Sequence, residues 1–527
     1  MRRSIAVAVG VLLALAGAPV TAASAAAVPA EFGTDWDNPR TAAPAVSRPP
    51  TRSCTTTIVD HAFAGYDTYV SAFTPPAACP GPWAKVVLKL DGSVQGRQYD
   101  RLGWVTIGGV MVFKTSTPEP SPDGIEWSVE KDVTGYSSLL RAPQTVNMYL
   151  GNTVDDTYTG VLNVKISLTF YAADRGHPAP GGASDVLPLA DQAHPDGPDL
   201  TGTVQVPGNT ERLLAEVYAT GSGGGCEEFW YLTAPTSTGY SCPADPGPYR
   251  EVQVLLDGRL AGIAAPFPHV YTGGWSNPFL WYVVPAPRAF DIQPITYDLT
   301  PYLGLLTDGA AHRVTVHVVG VPAGQSGWDT PVNFLGWRDP HAKRVTGGLL
   351  THQAGAAVDD VTTGERSVTV HGAHSLRAVG YLRTSHGRVT TAVTESVGND
   401  GVHEWGDGEN PDALRATWTD DATSVVTGGS RFAGVTRSAK RYGLDGSITV
   451  DADNRLTTTL TMTDAATVWG PARRTLDDTY QGSASYLLGV PRDQRHAVGT
   501  SRERYRLTGD LRYDRTIETR NGIVTRG

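Results

Sequence analysis

Glycine and proline recur so densely along this chain, 59 and 37 times in 527 residues, that long helices have little room to form. Between these breaks the residues alternate apolar and polar, as at 84–90 (AKVVLKL), 104–113 (WVTIGGVMVF) and 161–171 (VLNVKISLTFY). A period of two places successive side chains on opposite faces of a strand. The expected class is therefore all-β, in several short-stranded antiparallel units. Helical pattern is confined to one turn near 301–306, with Thr300 placed to cap it and Pro301 at its first position. Charged residues are only 18%, which excludes a long solvated coiled coil, and no fixed repeat marks a propeller or solenoid.

The formal charge of -10 and the absence of a basic cluster argue against nucleic acid as a partner. Arg2 and Arg3, an apolar run at 5–18 and the small residues Ala23 to Ala27 read as a secretion signal over 1–27. Gly17 and Pro19 interrupt the run before it reaches the roughly 18 residues a membrane anchor needs. The product is expected to be secreted, with no membrane contact after cleavage. The four cysteines fall into two local pairs, Cys54 with Cys79 and Cys226 with Cys242, and locality is the reason for pairing them so. Neither pair has zinc-site spacing, so no metal is expected there. The expected organisation is an extended segment at 28–53, a first sandwich at 54–176, a Pro/Gly/Asp-rich linker at 177–200, a second sandwich at 201–344 and a β-rich region at 345–527 that either packs on the other two or stands alone.

No phosphate loop, HExxH helix or G-x-S-x-G elbow is present. Carboxylates beside aromatics remain. In QYDRLGW (98–104), Asp100 and Arg101 precede Trp104 at a strand start, and the alternative is an ordinary surface pair. In GGGCEEFWY (223–231), Glu227 and Glu228 follow three glycines and a cysteine. On a strand they would face opposite ways, and they could equally be an acidic pair guarding a sheet edge. YTGGWSNPFLWY (271–282) offers Trp275 and Trp281 as either sugar-stacking or core residues.

Taken together and in order, these segments resemble the peptide:N-glycosidase A family, the plant-type glycoamidases. The resemblance rests on CPGPWAKVVLKLDGSVQGRQYDRLGWVTIGGVMVFKTSTPEP (79–120), VEKDVTGYSSLL (129–140), VDDTYTGVLNV (154–164), GCEEFWY (225–231), VQVLLDGRLAG (252–262), PFPHVYTGG (266–274) and YDLTPYLGLLTDG (297–309). Shorter matches at 383–391 and 481–489 extend it. A fainter similarity to peptide:N-glycosidase F touches the same acids. The resemblance implies two adjacent jelly-roll-like sandwiches with the site between them, and hydrolysis of the amide joining asparagine to the first N-acetylglucosamine, without a cofactor. It implies catalytic roles for Asp100 and Glu228. Arg101, Trp104, Glu227, Trp230, Trp275 and Trp281 are then candidates for substrate binding. The position of a third acid is Gly151, beside Asn152, which leaves Asp155 or Asp156 as weak substitutes. The partners expected are N-glycosylated peptides or proteins, met by a monomer. An endo-acting glycosidase and a glycan-binding lectin on the same sandwiches remain open.

Overall fold

The computed structural model describes residues 36–194, 197–222, 226–245, 247–271, 282–322, 325, 327–470, 472–491 and 494–527. The expected signal segment, Trp275 and Trp281 lie outside the described residues. The first eight strands are β1 (Ser53–Phe63), β2 (Tyr69–Phe73), β3 (Trp83–Val94), β4 (Leu102–Ile107), β5 (Val110–Ser116), β6 (Ile125–Asp132), β7 (Gln144–Leu150) and β8 (Leu162–Ala172). They form two four-stranded sheets, β1-β8-β3-β6 and β2-β7-β4-β5, with the strand order of a jelly roll. Alternation is strict in β6, where Ile125, Trp127 and Val129 are buried and Glu126 and Ser128 exposed. Phe73 of one sheet meets Phe170 of the other at 6.0 Å between ring centres. The single run expected at 104–113 is instead a hairpin. Gly108 and Gly109 both take positive φ, +57° and +81°, and this permits the tight turn between β4 and β5. Cys54 and Cys79 form the first disulfide.

The second set comprises β9 (Asp185–Pro188), β10 (Ala190–Ala193), β11 (Leu200–Val204), β12 (Thr210–Val217), β13 (Thr220–Gly221), β14 (Glu251–Leu256), β15 (Arg259–Ala264), β16 (Ile295–Asp298), β17 (His312–Val319), β18 (Trp328–Asp329) and β19 (Val332–Arg338). Its two main sheets run β10-β11-β17-β14-β15 and β16-β12-β19-β9. The segment expected as a bare linker therefore contributes two strands. Its Pro and Gly content hid the Val186 and Leu187 pair that docks β9 against Leu335 and Phe334. The expected helical turn is present as a 3-10 turn at Thr300–Tyr302 followed by Leu303–Leu306.

The two sets join through main chain as well as side chains. Along β5, Ser116 N–H donates to Ala289 O at 2.8 Å, and Ile292 N–H donates to Lys114 O at 3.0 Å. Asn333 exchanges two bonds with the Met111 backbone, at 2.9 and 2.7 Å. Lys131 reaches Asp291 at 3.1 Å, and Tyr136 O–H donates to Glu216 at 2.6 Å.

From Thr346 to Arg526 the chain builds one antiparallel sheet of eleven strands among the described residues. The short hairpins expected there are parts of longer strands, for instance Ser367–Thr384 and Gly387–Trp405, which pair along their whole length. The sheet packs on the second set and does not stand alone. Asp464 clasps Arg288 at 2.6 and 2.8 Å, His374 meets Glu251 at 2.9 Å, and Tyr240 O–H donates to Asp412 at 2.9 Å. Its other end takes the N-terminal segment: Ala42 N–H donates to Glu503 at 2.6 Å, and Val524 N–H to Asp37 at 2.7 Å.

Burial pushes the Glu395 and Glu503 carboxyls up from 4.5 to about 8. A carboxyl raised on folding binds its proton more tightly in the native state. Its contribution to stability is complete below about pH 4.5 and is lost as pH rises through about 8. Glu395→Gln, which fixes the uncharged form, is therefore expected to flatten the pH dependence of unfolding free energy by a few kcal/mol between pH 5 and 8. Urea melts at the two pH values measure this, and an unchanged slope would place Glu395 outside the effect.

Candidate functional site at the junction of the two sandwiches

Asp100 lies in the loop between β3 and β4, just ahead of the first residue of β4, and is half-buried. The loop is held at both sides. Arg101 N–H donates to Thr117 Oγ1 at 2.9 Å and Thr117 N–H to Arg101 O at 3.0 Å. The Arg101 guanidinium donates to Gln98 Oε1 at 2.5 Å and to Asn152 Oδ1 at 3.3 Å, so it braces the loop against the end of β7. Asn152 is fully buried and also donates to the Phe63 and Gly160 carbonyls. On the outer face of the same sheet Trp104 stacks on Tyr149, centres 5.7 Å apart and 22° between planes. Both rings stay partly exposed.

Glu228 comes from the second set. Its segment, Cys226–Leu232, is a run of 3-10 turns with a kink at Phe229 and not the strand the sequence suggested. The reason is the Cys226–Cys242 disulfide on one side and close backbone packing on the other. A side chain at Gly221 would place its first carbon 2.1 Å from the Glu227 carbonyl oxygen, so only glycine lets the turn sit there. Glu227 corrects a sequence expectation. Its carboxylate is buried, receives Arg250 Nε and Nη2 at 3.0 and 2.6 Å and Trp328 Nε1 at 2.6 Å, and does not face substrate. Trp230 is corrected likewise. It is 1% exposed among Tyr231, Trp328 and Trp418, so its face is core and no sugar can stack on it. Glu228 remains half-buried, next to these anchored neighbours.

Both acids act electrostatically on Tyr271. Its hydroxyl is buried without a hydrogen-bond partner among the described residues. Burial first, then the negative charges of Glu228 and Asp100, hold its proton on well above the usual phenol range, with Tyr231 and Asp329 adding to this. His269 stacks parallel to Tyr271 at 5.7 Å. Burial, with Arg288 and Lys114 nearby, pushes the imidazole down to about 3, so it is neutral. Lys114 on β5, directly across from Trp104, is fully buried and donates to Asp329 Oδ2 at 2.9 Å and to the Tyr218 carbonyl at 3.1 Å. Burial lowers its pKa. Asp329 keeps 42% of its side chain exposed.

Of the sequence candidates, Asp100 and Glu228 both act electrostatically on Tyr271. Asp155 is exposed and spends Oδ1 on the Thr157 and Tyr158 amides at 2.7 Å, which makes it a turn-former, and Asp156 is exposed beside it. At Gly151 an added carbon would meet the Tyr149 hydroxyl at 2.6 Å, so the tyrosines fill the space of a larger side chain. Sequence reasoning missed Tyr271 as a hydroxyl, Lys114 and Asp329. The lysine had a signal, a lone cation inside the apolar run VMVFKTS. A groove of about 940 Å³ lies elsewhere, over the outer face of β1-β8-β3-β6, and holds neither acid.

Two β-sandwiches joined along β5 define the class of protein. The chain belongs to the family described as peptide N-acetyl-beta-D-glucosaminyl asparaginase amidase A, whose model matches residues 40–354. It is similar to the peptide-N4-(N-acetyl-beta-glucosaminyl)asparagine amidase A of Prunus dulcis, 32% identical over 378 residues. That match covers 65% of this chain and spans 65% of the relative's length. Among solved structures it overlaps recombinant peptide:N-glycanase F with a TM-score of 0.36 at 12% identity, over 54% of this chain and 96% of the other. For PNGF-II the values are 0.36 and 14%, over 55% and 66%.

Proposed function

We propose that this chain hydrolyses the amide between asparagine and the innermost N-acetylglucosamine of N-glycans on peptides and proteins. What supports the reading is that the charges of Asp100 and Glu228, from separate sandwiches, both act on one buried residue, Tyr271. The family membership and the almond relative's activity support the same reading.

In this mechanism Asp100 takes a proton from water as its oxygen adds to the amide carbon. The carbon–nitrogen bond then breaks, the nitrogen gains a proton, and the products are an aspartate side chain and a glycosylamine. The glycosylamine decays to free glycan and ammonia. A positioned base of this kind contributes roughly 10² to 10⁴ fold. Glu228 holds the water or the first sugar. Tyr271 keeps its proton and stays an uncharged, buried residue on which both acids act. Arg101 positions the Asp100 loop, and Trp104 with Tyr149 offers a ring face to the glycan.

A glycopeptide digest read by mass spectrometry tests the reaction. The amidase leaves aspartate, one mass unit above asparagine, whereas an endo-glycosidase leaves asparagine bearing one N-acetylglucosamine and a lectin leaves the glycopeptide intact. Either of the last two outcomes overturns the proposal. No helix among the described residues is long and apolar enough to cross a membrane. Two disulfides suit an oxidising compartment, and we read the chain as a secreted monomer. Fractionation of producing cells and sizing of the product would check both.

A further inference from the structure

Away from the Asp100–Glu228 junction, Glu211, Asp339 and His386 bring one donor atom each to within 4.8 Å of one another. Glu211 is on β12, Asp339 directly follows β19, and His386 is in the turn between Ser367–Thr384 and Gly387–Trp405. The cluster therefore sits where the second sandwich meets the eleven-stranded sheet. His386 Nε2 is 3.9 Å from Glu211 Oε2 and 4.0 Å from Asp339 Oδ1.

The Glu211 side chain is 2% exposed, and its Oε2 accepts no hydrogen bond among the described residues. Arg431 Nε approaches Oε1 at 3.1 Å from a side chain that is half in solvent, which leaves Oε2 turned toward the imidazole. A buried carboxylate oxygen with no donor is costly. Asp339 is oriented independently. It accepts the Ser385 N–H and O–H, both at 2.7 Å, and the His341 N–H at 3.0 Å. The Ser385 bonds also fix the turn that carries His386.

We propose that Glu211, Asp339 and His386 form a zinc-type divalent cation site that fastens the eleven-stranded sheet to the second sandwich. Two carboxylates and one imidazole are a donor set for such ions, with softer metals excluded by the lack of thiolate. Donors at roughly 2.0–2.2 Å from zinc in tetrahedral geometry stand about 3.5 Å apart. The two His386 distances have to contract by about half an ångström, and the Glu211–Asp339 pair by up to about 1.3 Å, to reach that. The His386 side chain is 30% exposed, which leaves a side open for entry and for a water as fourth ligand.

The full chain, stripped with a chelator and dialysed, is titrated with Zn²⁺ while its melting temperature and metal content are followed. One zinc per chain is expected, with Tm rising by about 2–4 °C at saturation as binding to the native state adds stability. Co²⁺ in place of zinc is expected to give visible absorption bands. Glu211→Gln and His386→Gln keep shape and are expected to fold, as judged by circular dichroism, yet lose the bound ion, the bands and the shift. Two results overturn the site: a wild-type chain with no stoichiometric ion and an unmoved Tm, which leaves an Arg431–Glu211–Asp339 ion-pair network only, or variants that keep the full shift.

Discussion

Asp100→Asn is expected to lower glycan release by about 10³ fold, near 4 kcal/mol of transition-state stabilisation, with folding and substrate binding preserved. The substitution keeps shape and nearly all volume and removes only the ability to take a proton. The competing account makes Asp100 an exposed partner of Arg101, and removing such a pair costs roughly 0–1 kcal/mol of stability and leaves turnover alone. The Arg101 guanidinium is already engaged by Gln98 and Asn152, so bracing the loop does not depend on the Asp100 charge. Glu228→Gln is the companion. Glu227→Gln is no neutral control, because it deprives the buried Arg250 of its counter-charge. Breaking one side of such a pair costs about 3–5 kcal/mol. The two neighbours should therefore separate, with activity lost at 228 and stability lost at 227. Near-normal turnover in Asp100→Asn removes that residue from the chemistry.

Asp464→Ala is expected to destabilise the chain by about 3–5 kcal/mol and to reduce activity with it. Arg288 is mostly buried, lies over the Phe267 and Tyr442 rings at 4.4 and 5.0 Å, and depends on both Asp464 oxygens. Its neighbours Ala289 and Phe290 accept bonds from Thr115 and Ser116 of β5. On the other side, Phe267 precedes the His269–Tyr271 stack. Loss of the aspartate strands a buried guanidinium at the point where sheet, loop and first sandwich meet. Urea denaturation and a kcat measurement in the same preparation read both effects. A loss below about 1 kcal/mol would mean that the pair is screened like a surface one. Truncation before Val345 carries the same logic further. It uncovers Trp230, which packs on Trp418, and Tyr249, which lies against Gly372, and the remainder is expected to be insoluble or inactive.

Strands were legible where one face is buried, since β6 and β8 alternate residue by residue. The turn at Gly108–Gly109 was missed because two glycines inside an apolar run look like any weak point in a strand. The acids were legible as dipeptides beside aromatics, but their environments were not. Nothing local distinguishes Glu227 from Glu228, and the difference lies in Arg250 and Trp328, 23 and 101 residues away. The strand expected at 226–229 failed for a similar reason, because a disulfide and a glycine contact override the local pattern. In the C-terminal sheet, the buried Asp464, Glu503 and His374 find their partners, Arg288, the Ala42 amide and Glu251, in other parts of the chain, which no local pattern reveals.

The bonds from Ala42 to Glu503 and from Asp37 to Val524 span 461 and 487 residues. A polypeptide made from its amino end emits one half of these contacts long before the other. Trp36 stacks on Tyr282 at 4.2 Å and packs against Gly522, so its surroundings are completed only when the later segment has been made. Contacts of such long range are slow to form. The closing of this seam is thus expected to follow the folding of the sheets it joins.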